Sequence, residues 1–320
     1  MTSRPIKFGV RMIPIGRSFE WLKTICQEMD KTGWHSFWTM DHFFFRETAN
    51  QPVLDTWTLM TAIAAVTERL HVGSLVLCNS YRPPALLAKM GASLDALSNG
   101  RLEFAIGAGW AQHEYEAYGY PYPRPAVRIA QLDEAVQIIK KMWTEERPSF
   151  EGKYFSIKGA VNVPKPVQQP HPPIHIGGSG EQLTLRVVAK YADIWNGTDD
   201  ENRAHKQEVL KQHCEAVGRD YNEIEQSTAY VLIIGSNELE VKEKLDYHMS
   251  RGARDTIGNP TRLTHEEFVA RHIVGTPIQC IEKIGQIIGE GPTFFIFTIP
   301  DISRLEPLHL FAEEVMPAFA

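Results

Sequence analysis

Short apolar runs bounded by turn residues alternate along the chain with longer segments whose apolar residues recur at helical spacing. The short runs predict strands over 7–12, 36–40, 71–77, 102–107, 174–177, 194–196, 228–234 and 293–299. The longer ones predict amphipathic helices over 19–32, 56–67, 84–97, 127–143, 181–191, 201–217, 239–251 and 278–289, with a last helix near 305–314. Alternation of this kind argues for a parallel sheet with helical crossovers. The pairs number about eight, as a (β/α)8 TIM barrel requires, so the chain reads as one α/β barrel domain over 1–320. An open doubly wound sheet is the alternative, but it would place a nucleotide-binding glycine turn after the first strand, where the sequence has none. Two segments interrupt the rhythm as insertions after strands four and seven. Residues 149–169 read as a short hairpin followed by a proline-rich connection, and 252–275 form a long loop carrying Arg254, Arg262, His265 and Arg271. Loops of that length are either functional lids or loosely ordered.

The most informative local pattern is Gly177-Gly178-Ser179-Gly180, set between the strand-like Ile174-His175-Ile176 and a helix-like run beginning at Glu181. Glycines let a backbone approach an anion, and the free N–H groups of a first helical turn point at it along the positive end of the helix dipole. The same residues also suit a tight turn with no ligand. In a barrel, ligand chemistry belongs at the C-terminal ends of the strands. There strand two runs into Asp41-His42, strand three into Cys78 to Arg82, and strand four into Gly107-Ala108-Gly109-Trp110. Asp41-His42 places a carboxylate beside an imidazole, suited to proton handling near neutral pH, although a helix cap beside a surface histidine has the same letters. Gly107 to Gly109 is no dinucleotide fingerprint, since Gln112 stands where the last glycine should be, but a flat ring could lie against backbone there. Glu114 reads as a candidate acid or base, or as an exposed carboxylate at a helix start. Phe43, Phe44, Phe45, Trp57, Trp110 and Tyr118 supply aromatic groups for a cleft that would take a planar cofactor or an apolar small-molecule substrate.

Composition narrows the function classes. The net charge of −6 with no basic run argues against a nucleic-acid partner. Cys26, Cys78, Cys214 and Cys280 lie far apart with no CxxC pair, which suggests neither a disulfide framework nor a cysteine zinc site and fits a reducing cytoplasm. The start of the chain has no apolar signal core and no stretch is long and apolar enough to span a bilayer, so a cytoplasmic protein without a membrane partner is expected.

Six segments carry a resemblance to a known family: DHF at 41–43, SYRPPALLAK at 80–89, LDALSNGRLEFAIGAGW at 94–110, EYEAYGYPYP at 114–123, NVPKPVQ at 162–168 and PIHIGGSGEQLTLRVVAKYADIWN at 173–196. Together they resemble the luciferase-like monooxygenase superfamily, and within it the coenzyme F420-dependent oxidoreductases, over nearly the whole chain. The resemblance implies that Asp41 and His42 face a deazaflavin ring, with His42 handling the proton that accompanies a hydride and Asp41 orienting the imidazole. It also implies a non-proline cis peptide at Leu75-Val76 behind the ring and a cofactor contact at Cys78. Gly107, Ala108 and Gly109 would lie along the middle of the cofactor with His113 nearby, and Gly177, Gly178, Ser179 and Gly180 would hold a phosphate. The acidic tail of F420 would favour basic rim residues, for which Arg82 and the arginines of 252–275 are candidates. Two departures argue against a sugar-phosphate substrate. Trp110 stands where sugar-phosphate dehydrogenases of this branch carry an acid, which Glu114 could replace, and Phe43 to Phe45 stand where they carry a tryptophan. A planar or apolar substrate fits better. FMN with oxygen, as in the monooxygenases of the superfamily, is the alternative cofactor chemistry, and a cofactor-binding protein without catalysis is a further class that an intact Asp41-His42 argues against. A glycosidase could use Asp41 and Glu114 as its carboxylate pair but has no use for the glycine turn. Family members commonly pair, so a homodimer through the second and third helices is expected.

Overall fold

The computed structural model describes residues 4–45, 49–197, 202–251, 263–300 and 302–320. The chain runs through β1 (Lys7–Arg11), α1 (Phe19–Thr32), β2 (Ser36–Thr39), α2 (Thr56–Val66), β3 (His71–Ser74), β4 (Leu77–Cys78), α3 (Pro84–Leu97), β5 (Leu102–Gly107), α4 (Gln112–Ala117) and α5 (Pro125–Thr144). A hairpin, β6 (Phe150–Glu151) and β7 (Ser156–Ile157), precedes β8 (Ile174–Gly177), α6 (Thr184–Tyr191), β9 (Ile194–Asn196) and α7 (Arg203–Val217). The last elements are β10 (Glu225–Ile234), α8 (Glu238–Ser250), α9 (His265–Arg271), β11 (Ile273–Gly275), α10 (Pro277–Gly289), β12 (Phe294–Thr298) and α11 (Glu306–Glu314).

The strands close on themselves in the order β1, β2, β3, β5, β8, β9, β10, β12 and back to β1, with every pair parallel. This is the (β/α)8 barrel, with hairpin β6–β7 after α5 and β11 added alongside β10. Closure leaves no free sheet edge in the barrel itself. Inside it, Trp38, Ala105, Ile194, Phe294 and Ile296 form an apolar layer, while a larger core fills the space between strands and helices.

Local signals explain the helix ends. Ser18 accepts from the Trp21 N–H at the start of α1, and Gly33 ends the helix at φ 87°, a left-handed conformation that glycine adopts without a Cβ clash. Between these caps Leu22, Ile25, Cys26 and Met29 form the buried stripe. Thr276 and Gln279 form a capping box at α10, with Pro277 in the first turn.

Several boundaries differ from the sequence pattern, each for a physical reason. The run 71–77 is divided into β3 and β4 at the Leu75–Val76 peptide, which is cis, as the resemblance implied. The helix expected from Glu181 starts at Thr184, because residues 181–183 form turns. Strand β10 begins three residues earlier than its apolar run, because Glu225 and Ser227 are buried at its start and carry no hydrophobic signal. The 252–275 segment contains α9, held by a Thr264–Glu267 capping box, and β11. Arg254 and Arg262 lie outside the described residues. Among the described residues no helix is long and apolar enough to cross a membrane.

At the N-terminal end of the barrel Arg101 ties three segments together. Its guanidinium donates to the carbonyls of Ser98 at 2.7 Å, Leu70 at 2.7 Å and Ala64 at 2.7 Å, and to Thr67 Oγ1 at 3.1 Å. A lysine cannot reproduce this planar fan of donors. Arg101→Lys should lower the unfolding free energy by about 1–3 kcal/mol in urea titrations, the cost of leaving carbonyls unpaired.

Candidate active site

The C-terminal ends of the barrel strands surround a cavity of about 530 Å³. Its wall brings together the segments that follow β2, β3, β5 and β8. Val76 projects between two of these walls. A Cβ built on Gly107 would sit 2.8 Å from one Val76 methyl, and one on Gly177 2.9 Å from the other. Only glycine leaves room for Val76 at both positions, and the result is a flat apolar patch flanked by backbone. Leu75, Val76, Cys78, Gly107, Ala108 and Gly109 all line the cavity, as do Gly177, Gly178, Ser179 and Gly180. Within the glycine loop Gly178 adopts φ 121°, open to glycine alone, and its N–H donates to the Asn196 carbonyl at 3.2 Å.

The two acidic groups of the rim have distinct partners. Asp41 is buried and bound bidentately by Arg82, Nη1 to Oδ2 at 2.8 Å and Nη2 to Oδ1 at 3.0 Å, and it also accepts from the Cys78 N–H at 2.8 Å. It therefore does not orient the neighbouring imidazole. That role belongs to Glu114, whose Oε2 lies 2.7 Å from His42 Nδ1. Glu114 is fully buried rather than an exposed helix-start residue. It also accepts from the Phe43 N–H at 2.6 Å, the Phe44 N–H at 3.1 Å and the Tyr81 hydroxyl at 3.1 Å. Burial alone would push its carboxyl up, but the His42 contact and the Phe44 and Phe43 N–H groups outweigh it and hold the carboxyl below its ordinary value. The carboxylate can only accept, so His42 Nδ1 carries the proton and Nε2 is left to exchange one with a ligand. Arg82 is committed to Asp41 and reaches Asp55 at 3.4 Å, so it is a structural cation of the rim and not a hand for an acidic tail.

The Cys78 thiol is 3.0 Å from the Tyr115 hydroxyl. Burial pushes the thiol up to about 11 against the opposing pull of that hydrogen bond, so at neutral pH it is a neutral contact surface and not a nucleophile. His113 stands apart from the cavity lining, with its ring edge-on to Phe44 at 5.3 Å. Of the aromatic residues, Trp57 belongs to the main core, while Trp110 is 54% exposed at the mouth with its ring 5.4 Å from His42. Phe43 stacks on Tyr118 at 4.0 Å and packs on Tyr81 at 4.4 Å. Arg128, Arg11 and Asn196 also line the cavity and were not singled out by the sequence. Arg128 sits in the first turn of α5, where its letter reads as part of a helix surface, yet it is buried and donates to the Gly109 carbonyl at 3.2 Å.

Comparison with known proteins is consistent over the whole chain. A family model described as luciferase-like monooxygenase matches residues 5–293. The chain is 26% identical over 333 aligned positions to an F420-dependent glucose-6-phosphate dehydrogenase of Kineococcus radiotolerans, an alignment covering 98% of this chain and 97% of that one. Among solved structures, the fold is shared with an F420-dependent secondary alcohol dehydrogenase in complex with an F420–acetone adduct, at a TM-score of 0.80, 18% identity and coverage of 99% and 100% of the two chains. It is shared equally with the oxygenating constituent of 3,6-diketocamphane monooxygenase of Pseudomonas putida in complex with FMN, at a TM-score of 0.79, 18% identity and 99% coverage of each chain.

The depressed carboxyl of Glu114 has a consequence for stability. A group whose folded pKa lies below its unfolded one stabilises fully above the unfolded value, 4.5 here, and the contribution is lost as pH falls through the folded value. Glu114→Gln should be less stable than the parent at neutral pH, and the gap between them should narrow below about pH 4. Urea titrations of both proteins across the acid range check this.

Proposed function

Since the chain belongs to the luciferase-like monooxygenase family, we propose that it is an oxidoreductase that uses coenzyme F420 to exchange a hydride with a small apolar or planar organic substrate. The observation that carries this reading is His42, held at the cavity wall through Nδ1 by the buried Glu114. The full-length likeness to an F420-dependent dehydrogenase supports the choice of cofactor.

The residues present fit a deazaflavin. Val76, flanked by Gly107 and Gly177, offers a flat surface for a tricyclic ring, and the loop from Gly177 to Gly180 lines the same cavity where a phosphate would be held. When bound, F420 supplies a two-electron hydride carrier at its C5 position, and the protein contributes position and electrostatics. His42 Nε2 takes the proton from a substrate hydroxyl as the hydride leaves its carbon, or returns it in the reverse direction. Glu114 does not itself line the cavity. It fixes the tautomer of His42 and stabilises the imidazolium that forms, while Asp41 and Arg82 hold the loop after β2 against the segment after β4. Trp110, with its ring 5.4 Å from that of His42, supplies an apolar wall at the cavity, while Phe45 packs on the same imidazole at 4.8 Å. That wall favours a planar or hydrocarbon-rich substrate over a sugar phosphate.

Binding of the purified protein to F420 and, separately, to FMN, followed by fluorescence quenching and calorimetry, tests the cofactor. Tight F420 binding with weak FMN binding is expected. The reverse order would move the chain to the flavin monooxygenases, whose fold it shares. His42→Ala should bind F420 within a few-fold of the parent but turn over about 10²–10⁴-fold more slowly, the usual weight of a general acid–base. Turnover equal to the parent would remove His42 from the chemistry.

A further inference from the structure

At the opposite mouth of the barrel three potential ligand atoms converge. We propose that His35, His71 and Glu103 form a binding site for a divalent transition-metal ion of the zinc class, independent of the cofactor cavity. His35 Nε2 lies 2.9 Å and His71 Nδ1 3.0 Å from the same oxygen, Oε1 of Glu103, and all three ligand atoms fall within 4.8 Å of one another. Two imidazoles and a carboxylate are a common three-ligand set for zinc, with a fourth position left to water. Around a tetrahedral ion such ligands sit roughly 3.4 Å apart, so the two imidazole–carboxylate distances need only a few tenths of an ångström of expansion to admit one.

The barrel register brings the ligands together. His71 opens β3 opposite Ser36 of β2, and its N–H donates to the His35 carbonyl at 3.0 Å. Glu103 follows on β5, paired with Gly73 of β3. The rings of His35 and His71 stack at 4.3 Å, and one nitrogen of each approaches the same Glu103 oxygen. Glu103 is buried inside the barrel, and its second oxygen is 2.8 Å from His175 Nε2. That contact fixes the carboxylate plane and leaves Oε1 for the ion, as the outer partners of metal ligands do.

A cavity of about 470 Å³ opens onto the two imidazoles and would admit an ion and its fourth ligand. The cations along this cavity have partners of their own. Lys7 is 2.8 Å from Glu225, and the Arg69 guanidinium donates to the carbonyls of Asp30 and Lys31 while its backbone N–H meets the Asp30 carboxylate. Glu103, buried just behind the two imidazoles, supplies a carboxylate for the ion. An ion there would join the starts of β2, β3 and β5.

The test uses the full chain, stripped with a chelator, dialysed and titrated with Co²⁺ while its visible absorption is followed. One Co²⁺ per chain with the strong bands of tetrahedral coordination, displaced by Zn²⁺, is expected. His71→Ala and His35→Ala, both at the solvent edge of the barrel, should each weaken binding by more than about 100-fold, with F420 and FMN affinities unchanged because the other mouth is untouched. X-ray absorption of the zinc-loaded parent should show two imidazoles and a carboxylate oxygen, which decides the ligand set even if a variant fails to fold. Absence of stoichiometric binding, or binding that survives both histidine substitutions, would overturn the proposal.

Discussion

The rim of the barrel depends on one buried charge. A carboxylate removed from water as fully as that of Glu114 costs several kcal/mol unless its oxygens are met by donors. Here four converge on it: His42 Nδ1, the N–H groups of Phe43 and Phe44, and the Tyr81 hydroxyl. Satisfying the charge fixes the loop after β2, seats α4 beneath it, and locks the segment between β4 and α3 through Tyr81. The aromatic wall follows from the same anchor, because Phe43 and Tyr81 are held in mutual contact by partners on one carboxylate. One residue earlier, the Asp41–Arg82 pair repeats the device and keeps the loop from collapsing into the cavity. The shape of the site is thus set by ion-centred contacts, and its reactive imidazole is a by-product of satisfying one of them.

Between the two mouths the barrel is filled by Trp38, Ala105, Ile194, Phe294 and Ile296. Close-packed side chains of this size separate the two ends. The His42–Glu114 pair and the cluster around Glu103 are therefore separate electrostatic environments on one scaffold. At each end a carboxylate is held below its ordinary value although its burial acts the other way, because imidazole contacts outweigh the desolvation. The barrel register that aligns the cofactor walls also aligns His35, His71 and Glu103.

Much of the scaffold was legible in the chain because its signals are local. α1 and α3 have the limits that their apolar stripes and flanking Gly33 and Pro83-Pro84 indicate, and β8 and β9 are short apolar runs between clear breakers. The glycines at 107 to 109 and 177 to 180 mark the cavity lining because close approach needs a missing side chain, and that requirement shows in the letters. Elements whose evidence was not local were misjudged. The polar start of β10 is buried by neighbours that periodicity cannot see, and β11 hides in a loop because three residues carry too little pattern.

The site was legible in its members but not in its pairings. Asp41 and His42 are adjacent in sequence, and that adjacency suggested a couple, yet successive residues leaving a strand point in different directions. His42 finds its partner 72 residues away in Glu114, and Asp41 finds Arg82 41 residues away. By itself the sequence determined the alternation of strands and helices, the glycine-lined face and the family likeness, because each is written in neighbouring residues. Which carboxylate serves the histidine, which arginine is already spent and which residues meet at the far mouth were decided only by barrel closure, since closure sets the distances between residues far apart in the chain.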